Sequence, residues 1–426
     1  MRKFLSATLF LALALNLATG CSEDEETQPL PPVTPAEEAD RTVLIYVSAQ
    51  NSLGYRDFQK DDSLEIAAGS QYIGNNNRLI VYIDDDENPR MYRFTKEKRA
   101  PELVRSFGRD ANSSDPETLK DVLAWTKQFY PAKEYGLVMW SHSDGWLPAP
   151  NKTYRTTRAF GIDTGAGGNM GADTDITGQI GPSMDIDDMA SAISSTGMHL
   201  KFIFFDSCLM QCIESTYALR HVADYVIASP IPTPGYGSQY HNEIRYGFFS
   251  DDPSDIARTY YSDVTGGKYA SLYGNDGFAI ASVKTGKLDS LASVTANLLP
   301  KHVTDGAALD MTGVMAYQPY VYNYYYRPEF YDMGSAMHRI LGEEDYAVWR
   351  RALDSAIDYM AVSQRYYTGP GYFDYLTRDE YHCGISAFIP DIKYSDNASI
   401  CLYGDLNEAF RQTEWYHDAG WEATGW

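Results

Sequence analysis

The chain has 426 residues, of which 44% are hydrophobic and 22% charged, with a formal net charge of −23. At roughly 150 residues per domain, this length holds two to three units, or one large domain with an appendage. The composition excludes bulk disorder, a collagen-like chain and a polytopic membrane protein. So acidic a surface repels phosphate backbones, and no nucleic-acid partner is expected. Five cysteines are too few for a disulfide scaffold. The 34 tyrosines keep a sugar- or peptide-binding surface open beside ordinary packing.

The N-terminus reads as a targeting segment. Arg2 and Lys3 form a basic start, and Phe4 to Ala18 is an apolar run too short for a comfortable membrane span. It ends in Leu17-Ala18-Thr19-Gly20-Cys21. Residues 1–20 resemble a bacterial lipoprotein signal peptide, with Leu17 one place earlier than usual. The resemblance implies cleavage before Cys21 and acylation of Cys21; plain secretion with Cys21 as a bystander is the alternative. Ser22-Glu23-Asp24-Glu25-Glu26 resembles the export tag of surface-exposed lipoproteins in Gram-negative bacteria. It reads otherwise as a solvated charge run. Residues 21–40, with Pro29, Pro31, Pro32 and Pro35, form a linker. The expected location is the cell envelope of a Gram-negative bacterium, at the outer membrane or cell surface. The N-terminal lipid is then the sole membrane attachment.

Thr42 to Val47 is a near-continuous apolar run, as in a buried parallel strand, and Arg78 to Ile83 reads the same way. Asp115-Pro116-Glu117 opens a helix, with Asp115 as N-cap, Pro116 at the first position and Glu117 at the positive dipole end. Gly136 to Trp140 is a strand running into Ser141-His142, and a Gly-rich loop extends from Gly161 to Gly181. Ile186, Met189, Ala190 and Ile193 mark a helix. Lys201 to Phe205 is a strand ending at Asp206-Ser207-Cys208, from which a helix is expected to run to Arg220. Tyr225 to Ala228 is a further strand. This alternation predicts an α/β sandwich around a mostly parallel sheet, with chemistry at the carboxyl ends of the strands. From residue 305 the pattern is less regular, and 305–426 reads as a C-terminal subdomain after a main domain over 41–304.

His142 and Cys208 each lie just past a strand end. A thiolate is a strong nucleophile, and a neighbouring imidazole can take the thiol proton and return it to a leaving amine. At the start of a helix, backbone N–H groups would lower the thiol pKa and hold an oxyanion. The bland alternative is a buried filler cysteine near an unrelated histidine.

Trp140-Ser141-His142-Ser143-Asp144-Gly145-Trp146 resembles the His motif of the clostripain family of cysteine peptidases, and Phe205-Asp206-Ser207-Cys208-Leu209-Met210-Gln211-Cys212-Ile213-Glu214 resembles its Cys motif. Leu44 to Ala49 with Asn51 and Leu53, Asp115 to Leu119, Ala223 to Ser229, Pro234 to Gly237 and Cys383 to Pro390 agree in order. The resemblance runs over residues 41–420. It implies a caspase-like α/β/α fold and a cofactor-independent endopeptidase acting on peptides or proteins; a monomer is expected. His142 would be the acid–base, Cys208 the nucleophile, and the N–H groups of Cys208 and Ser143 the oxyanion hole. Asp206 would select a basic residue before the scissile bond (P1), or else cap the following helix. Tyr236 would line the same pocket. Family members cut themselves between the His and Cys strands, and Lys152, Arg155 or Arg158 offers that site; otherwise these residues offset local acidic charge.

Three positions depart from the family pattern. Ser143 replaces a usual Gly and would be strained if φ were positive there. Tyr236 stands where basic-specific members often place a second acid, and Gln50 replaces a usual Asp. The first two motivate a second reading, an inactive or weakly active peptidase-fold lipoprotein serving as a surface binding or scaffold module. A sugar-binding surface lipoprotein is a third. Cys212, one helical turn after Cys208 if the helix forms, is a core filler or a redox partner. Cys383 and Cys401 could pair in an oxidising compartment. Asp84-Asp85-Asp86 reads as a solvated loop in preference to a Ca²⁺ site, and no metal-ligand spacing appears. Tyr324 to Tyr326 line a cleft or simply pack.

Overall fold

The computed structural model describes residues 33–74, 76–98, 100–108, 111–147, 160–165, 182–266, 270–271, 273, 275–318, 330–367, 375–395 and 405–426. The signal segment, Cys21, Lys152, Arg155, Arg158, Cys401 and Tyr324 to Tyr326 lie outside these residues.

The strands are β1 (Ala39–Ser48), β2 (Asn77–Asp84), β3 (Arg90–Phe94), β4 (Glu102–Ser106), β5 (Ala132–Trp140), β6 (Phe202–Asp206), β7 (Tyr225–Ala228), β8 (Ala279–Lys284), β9 (Ala316–Gln318), β10 (Phe330–Asp332) and β11 (Ile357–Val362). Nine of them form the central sheet, in the order β11-β8-β7-β6-β5-β1-β2-β3-β4. Its middle is parallel: β1 pairs with β2 and β5, β5 with β6, and β6 with β7. The outer strands β3, β4, β8 and β11 are antiparallel.

The helices are α1 (Ser52–Tyr55), α2 (Phe58–Gly69), α3 (Pro116–Phe129), α4 (Ile186–Ser195), α5 (Ile213–Ala218), α6 (Tyr240–Asn242), α7 (Ser254–Thr265), α8 (Leu288–Leu298) and α9 (Met333–Ala356). The central strands carry apolar residues at successive positions because both faces are covered. Val43, Ile45 and Val47 face Ile66 of α2 and Ile256 and Tyr260 of α7. Leu44 and Tyr46 join the cluster of Leu119, Val122 and Leu123 of α3 and Met189 and Ile193 of α4. A third cluster joins α8 and α9 to Trp415 and Trp421 near the C-terminus. Helix α3 starts as its sequence dictates, with the Asp115 side chain accepting from Glu117 N–H at 2.9 Å.

Val33 and Ala36 already pack on the α3 side, and Ala36 N–H donates to Phe129 O at 2.9 Å. Part of the segment read as a linker is thus packed against the domain. Likewise β11, from beyond residue 305, is an edge strand of the central sheet, and residues 33–426 form one compact unit.

Strands β5 and β6 approach closely where Gly136 lies beside Phe202. A Cβ at Gly136 would stand 2.3 Å from the Phe202 ring, which is fully buried. Overpacking of this kind costs about 1–3 kcal/mol. Gly136→Ala is expected to lower the thermal midpoint, and adding Phe202→Leu to recover part of the loss, both read by thermal denaturation.

Candidate active site

Strands β5 and β6 run parallel with Trp140 beside Asp206. Two residues beyond each partner come His142 and Cys208, both half-buried at the carboxyl edge of the sheet. The two loops are tied together: Ser143 Oγ donates to the Cys208 carbonyl at 2.5 Å. Behind them, Gly161 N–H donates to the His142 carbonyl at 2.9 Å, and Phe160 bridges both Ser143 and Met184.

Both side chains have defined neighbours. His142 Nε2 lies 3.0 Å from Ser52 Oγ. Thr233 N–H donates to Cys208 Sγ at 3.3 Å, and Thr233 Oγ1 lies 3.6 Å from the sulfur. Donors aimed at a sulfur favour its thiolate. Cys208 is not part of a disulfide.

The expected helix from Cys208 is not there. Helix α5 begins at Ile213, with Cys212 as its N-cap residue. The intervening chain is drawn away from a helical path by its neighbours. Leu209 adopts φ 62°, its N–H goes to Ile231 O at 3.2 Å, and Gln211 N–H goes to Ser229 O at 3.1 Å. The thiol therefore sits on a loop, with Thr233 N–H as a backbone donor to its sulfur. Cys212 is correspondingly not one turn from Cys208. It is buried in the third core cluster, its thiol 3.1 Å from Ser215 Oγ and pushed up to about 12 by burial. It is a core filler.

Among the described residues, the non-glycine positions with positive φ are Asp57, Leu209, Asn275 and Asp305, and Ser143 is not one of them. The strain expected there is absent, and its hydroxyl instead joins the two loops. Gln50 is a joint as well: its side-chain amide donates to Asp85 O at 3.2 Å, and its backbone carbonyl accepts from Thr164 N–H at 3.0 Å.

Asp206 does not cap α5. Its Oδ2 accepts from Ser238 N–H at 2.9 Å and from Tyr240 Oη at 3.1 Å. Burial pushes it up to about 6, with those two donors and Tyr260 pulling the other way. Gly237, at φ 57°, lies directly over it, where a Cβ would fall 2.6 Å from Oδ2. Only glycine fits. Tyr236, beside this glycine, is exposed and sets its ring edge-on to Phe58 at 5.4 Å.

Further acids surround Asp206 that the sequence reading missed. Glu243 accepts from Ser238 Oγ at 2.8 Å, and Glu65 of α2 accepts from Tyr240 N–H at 2.8 Å. Burial pushes Glu65 up to about 7 and Glu243 well above the usual carboxylate range. Asp62, one turn before Glu65, is raised by burial and then by the charges of Asp206 and Glu65. The available signal was Asp62, Glu65 and Ile66 on one face of α2.

The acids at the end of β2 are only partly a solvated loop: Asp86 is exposed, but Asp84 and Asp85 are both buried. Asp85 pairs with Arg90 at 2.7 Å. Asp84 and Asp163 accept from the same Ser113 N–H, at 3.2 and 2.7 Å. Burial, then the Asp163 charge, pushes Asp84 up to about 8. Among the described residues no group of three or more His, Cys, Asp or Glu side chains is arranged to hold a metal ion. No helix among them is long and apolar enough to cross a membrane.

A parallel α/β sheet with a cysteine and a histidine on adjacent carboxyl-end loops is the arrangement of the caspase-like cysteine peptidases. Residues 45–348 match the model of the clostripain family, peptidase C11, and the chain belongs to that family. Clostripain of Hathewaya histolytica is 24% identical over 245 residues, a match spanning half of this chain and 44% of that protein. A secreted C11 cysteine protease from Bacteroides thetaiotaomicron, solved with an irreversible peptide inhibitor, superposes with a TM-score of 0.72. It is 28% identical, and the match covers 90% of this chain and all of that one. An inactive zymogen C11 protease from Parabacteroides distasonis gives 0.70 at 27% identity, covering 90% of this chain and 99% of that one.

The Asp84–Asp163 pair has a consequence for stability. Asp84 titrates near 4 when unfolded and higher when folded, so its contribution is complete below pH 4 and fades as pH rises through about 8. The loss per pH unit is at most about 1.4 kcal/mol for one proton. Asp84→Asn is expected to flatten the fall in stability between pH 5 and 8, read by denaturant titrations across that range.

Proposed function

We propose that this chain is a cysteine endopeptidase with Cys208 as nucleophile and His142 as general acid–base. The observation that carries the reading is the β5–β6 register, with the Ser143–Cys208 hydrogen bond joining the loops beyond it. His142 takes the thiol proton, and the thiolate attacks the scissile carbonyl carbon. The oxyanion is held by the N–H groups of Cys208 and Ser143. Collapse expels the amine, which His142 protonates, and leaves a thioester. Water, deprotonated by His142, then releases the acid and restores the thiol. The route needs no cofactor. The family match and the C11 neighbours support the hydrolase class. The ordinary φ of Ser143 removes one motive for an inactive scaffold.

Cys208→Ala and His142→Ala are each expected to cut kcat by on the order of 10³-fold or more while leaving the fold intact. A peptidyl chloromethyl ketone should alkylate Cys208 and no other cysteine, mapped by mass spectrometry. Full activity in Cys208→Ala would refute the proposal.

Asp206 is the proposed P1 acid and Tyr236 a neutral member of the pocket rim. A carboxylate makes a charge-assisted bidentate contact with a guanidinium, and Tyr236 offers a ring face to a cation. Selectivity for Arg and Lys should therefore be present but weaker than with two acids. Asp206 is neutral below about pH 6 and charged above it. The kcat/KM ratio of Arg to Leu P1 substrates is thus expected to rise between pH 5 and 7, and Asp206→Asn to abolish that rise. Tyr236→Asp should increase the Arg preference.

The same proposal includes self-cleavage after Lys152, Arg155 or Arg158, a lipid on Cys21, an envelope location and a monomeric state. Intact masses of the wild-type and Cys208→Ala proteins test the first: a cut wild type beside an uncut variant is the expected result. Palmitate labelling that is lost in Cys21→Ala tests the second.

A further inference from the structure

We infer that Ser52 is a positioning residue that fixes which nitrogen of His142 exchanges a proton with Cys208. This inference rests on the cysteine-peptidase reading above. Ser52 follows Asn51 at the start of α1 and is half-buried. Capping is already done by Asn51, whose Oδ1 accepts from Leu53 N–H at 3.0 Å. The Ser52 hydroxyl is therefore not needed to start the helix, and it meets His142 Nε2 at 3.0 Å.

The mount for this hydroxyl is built into the sheet edge. Asn51 is fully buried, and its amide lies 2.9 Å from Ser48 O, 3.0 Å from Ile162 O and 3.3 Å from Ser141 Oγ. Ser141 Oγ in turn donates to Ser48 O at 2.8 Å. These bonds bolt the end of β1 to the residue immediately before His142. The position of Ser52 relative to the imidazole thus depends on interior contacts rather than on a free surface rotamer.

A hydroxyl both donates and accepts. As acceptor from Nε2–H it selects the tautomer whose lone pair is on Nδ1, and Nδ1 then receives the Cys208 proton. Once the thiol proton has moved, sulfur is a thiolate and both ring nitrogens carry hydrogen, with Nε2–H still held by Ser52. The bond favours the charged pair over the neutral one. A hydroxyl does so without the fixed negative charge of a carboxylate.

The test is the pH dependence of Cys208 alkylation by iodoacetamide, followed on the full chain by mass spectrometry, beside kcat and KM for a peptidyl-Arg coumarin amide. A thiolate–imidazolium pair gives two midpoints. Ser52→Ala is expected to raise the lower midpoint and lower the upper one, each by roughly half to one pH unit, and to reduce kcat several-fold with KM unchanged. Ser52→Thr, which keeps the hydroxyl, should restore both midpoints. Ser52→Asp should raise the upper midpoint above that of the wild type. Two unmoved midpoints in Ser52→Ala would overturn the inference while leaving the Cys208–His142 reading intact. A single ordinary thiol titration in the wild type, unchanged in His142→Ala, would overturn both.

Discussion

The parallel pairing of β5 with β6 is the constraint on which the site depends. Trp140 and Asp206 are partners across the ladder, so a shift of one residue would offset His142 from Cys208 and turn the side chains of the shifted strand to the opposite face. Burial guards against that shift. Phe202 and Phe204 point to one core and Ile203 and Phe205 to the other, so each face of β6 is packed against its own set of neighbours. Gly136 beside Phe202 adds a steric key, since the aromatic ring fills the space that a side chain on β5 would occupy. The edge chemistry inherits its precision from apolar packing several residues away.

Beyond the strand ends this precision passes to hydrogen bonds. The Ser143 hydroxyl joins the loop after β5 to that after β6. Asn51 joins the end of β1 to Ser141 and to Ile162. Thr233, on the segment after β7, reaches back to the sulfur. The segments that follow four neighbouring parallel strands, β1, β5, β6 and β7, thus converge on one thiol and one imidazole, which is what the carboxyl edge of such a sheet allows.

Much of this was legible in the sequence because it rests on local rules. Continuous apolar runs gave β1, β2, β5 and β6, and the Asp115-Pro116 pair gave the start of α3. The two motifs flagged the residues that the register brings to one edge. The stretch after Cys208 was not legible. Leu209 to Cys212 has a composition compatible with a helix, but its N–H groups are claimed by Ser229 and Ile231, distant in sequence. Tertiary hydrogen bonds of that kind leave no periodic trace. The strain at Ser143 was conditional on a positive φ, and the condition is not met, because a position that holds Gly in relatives need not have a positive φ. The partnership of Ser52 with His142 spans 90 residues and joins the start of α1 to the loop after β5, so neither spacing nor hydropathy carries it.

The acidic composition was read as a property of the surface, and the fold shows what that reading omits. Asp62, Asp84, Asp85, Asp163, Asp206, Glu214, Glu243 and Asp332 are all buried. Most of them have the same occupation. Asp163 accepts from Ser113 and Gly165 N–H, Asp206 from Ser238, Glu214 from Phe388, and Asp332 from Ser335 and Cys383. Where the chain leaves regular structure, backbone N–H groups lose their ladder partners, yet they must be satisfied once buried. Carboxylates do this well because one group accepts several donors. The cost is desolvation, which is why burial leads the upward shifts of Asp84, Asp206 and Glu214. Part of the chain's negative charge is thus an internal framework for its loops, whose protonation varies across the neutral range.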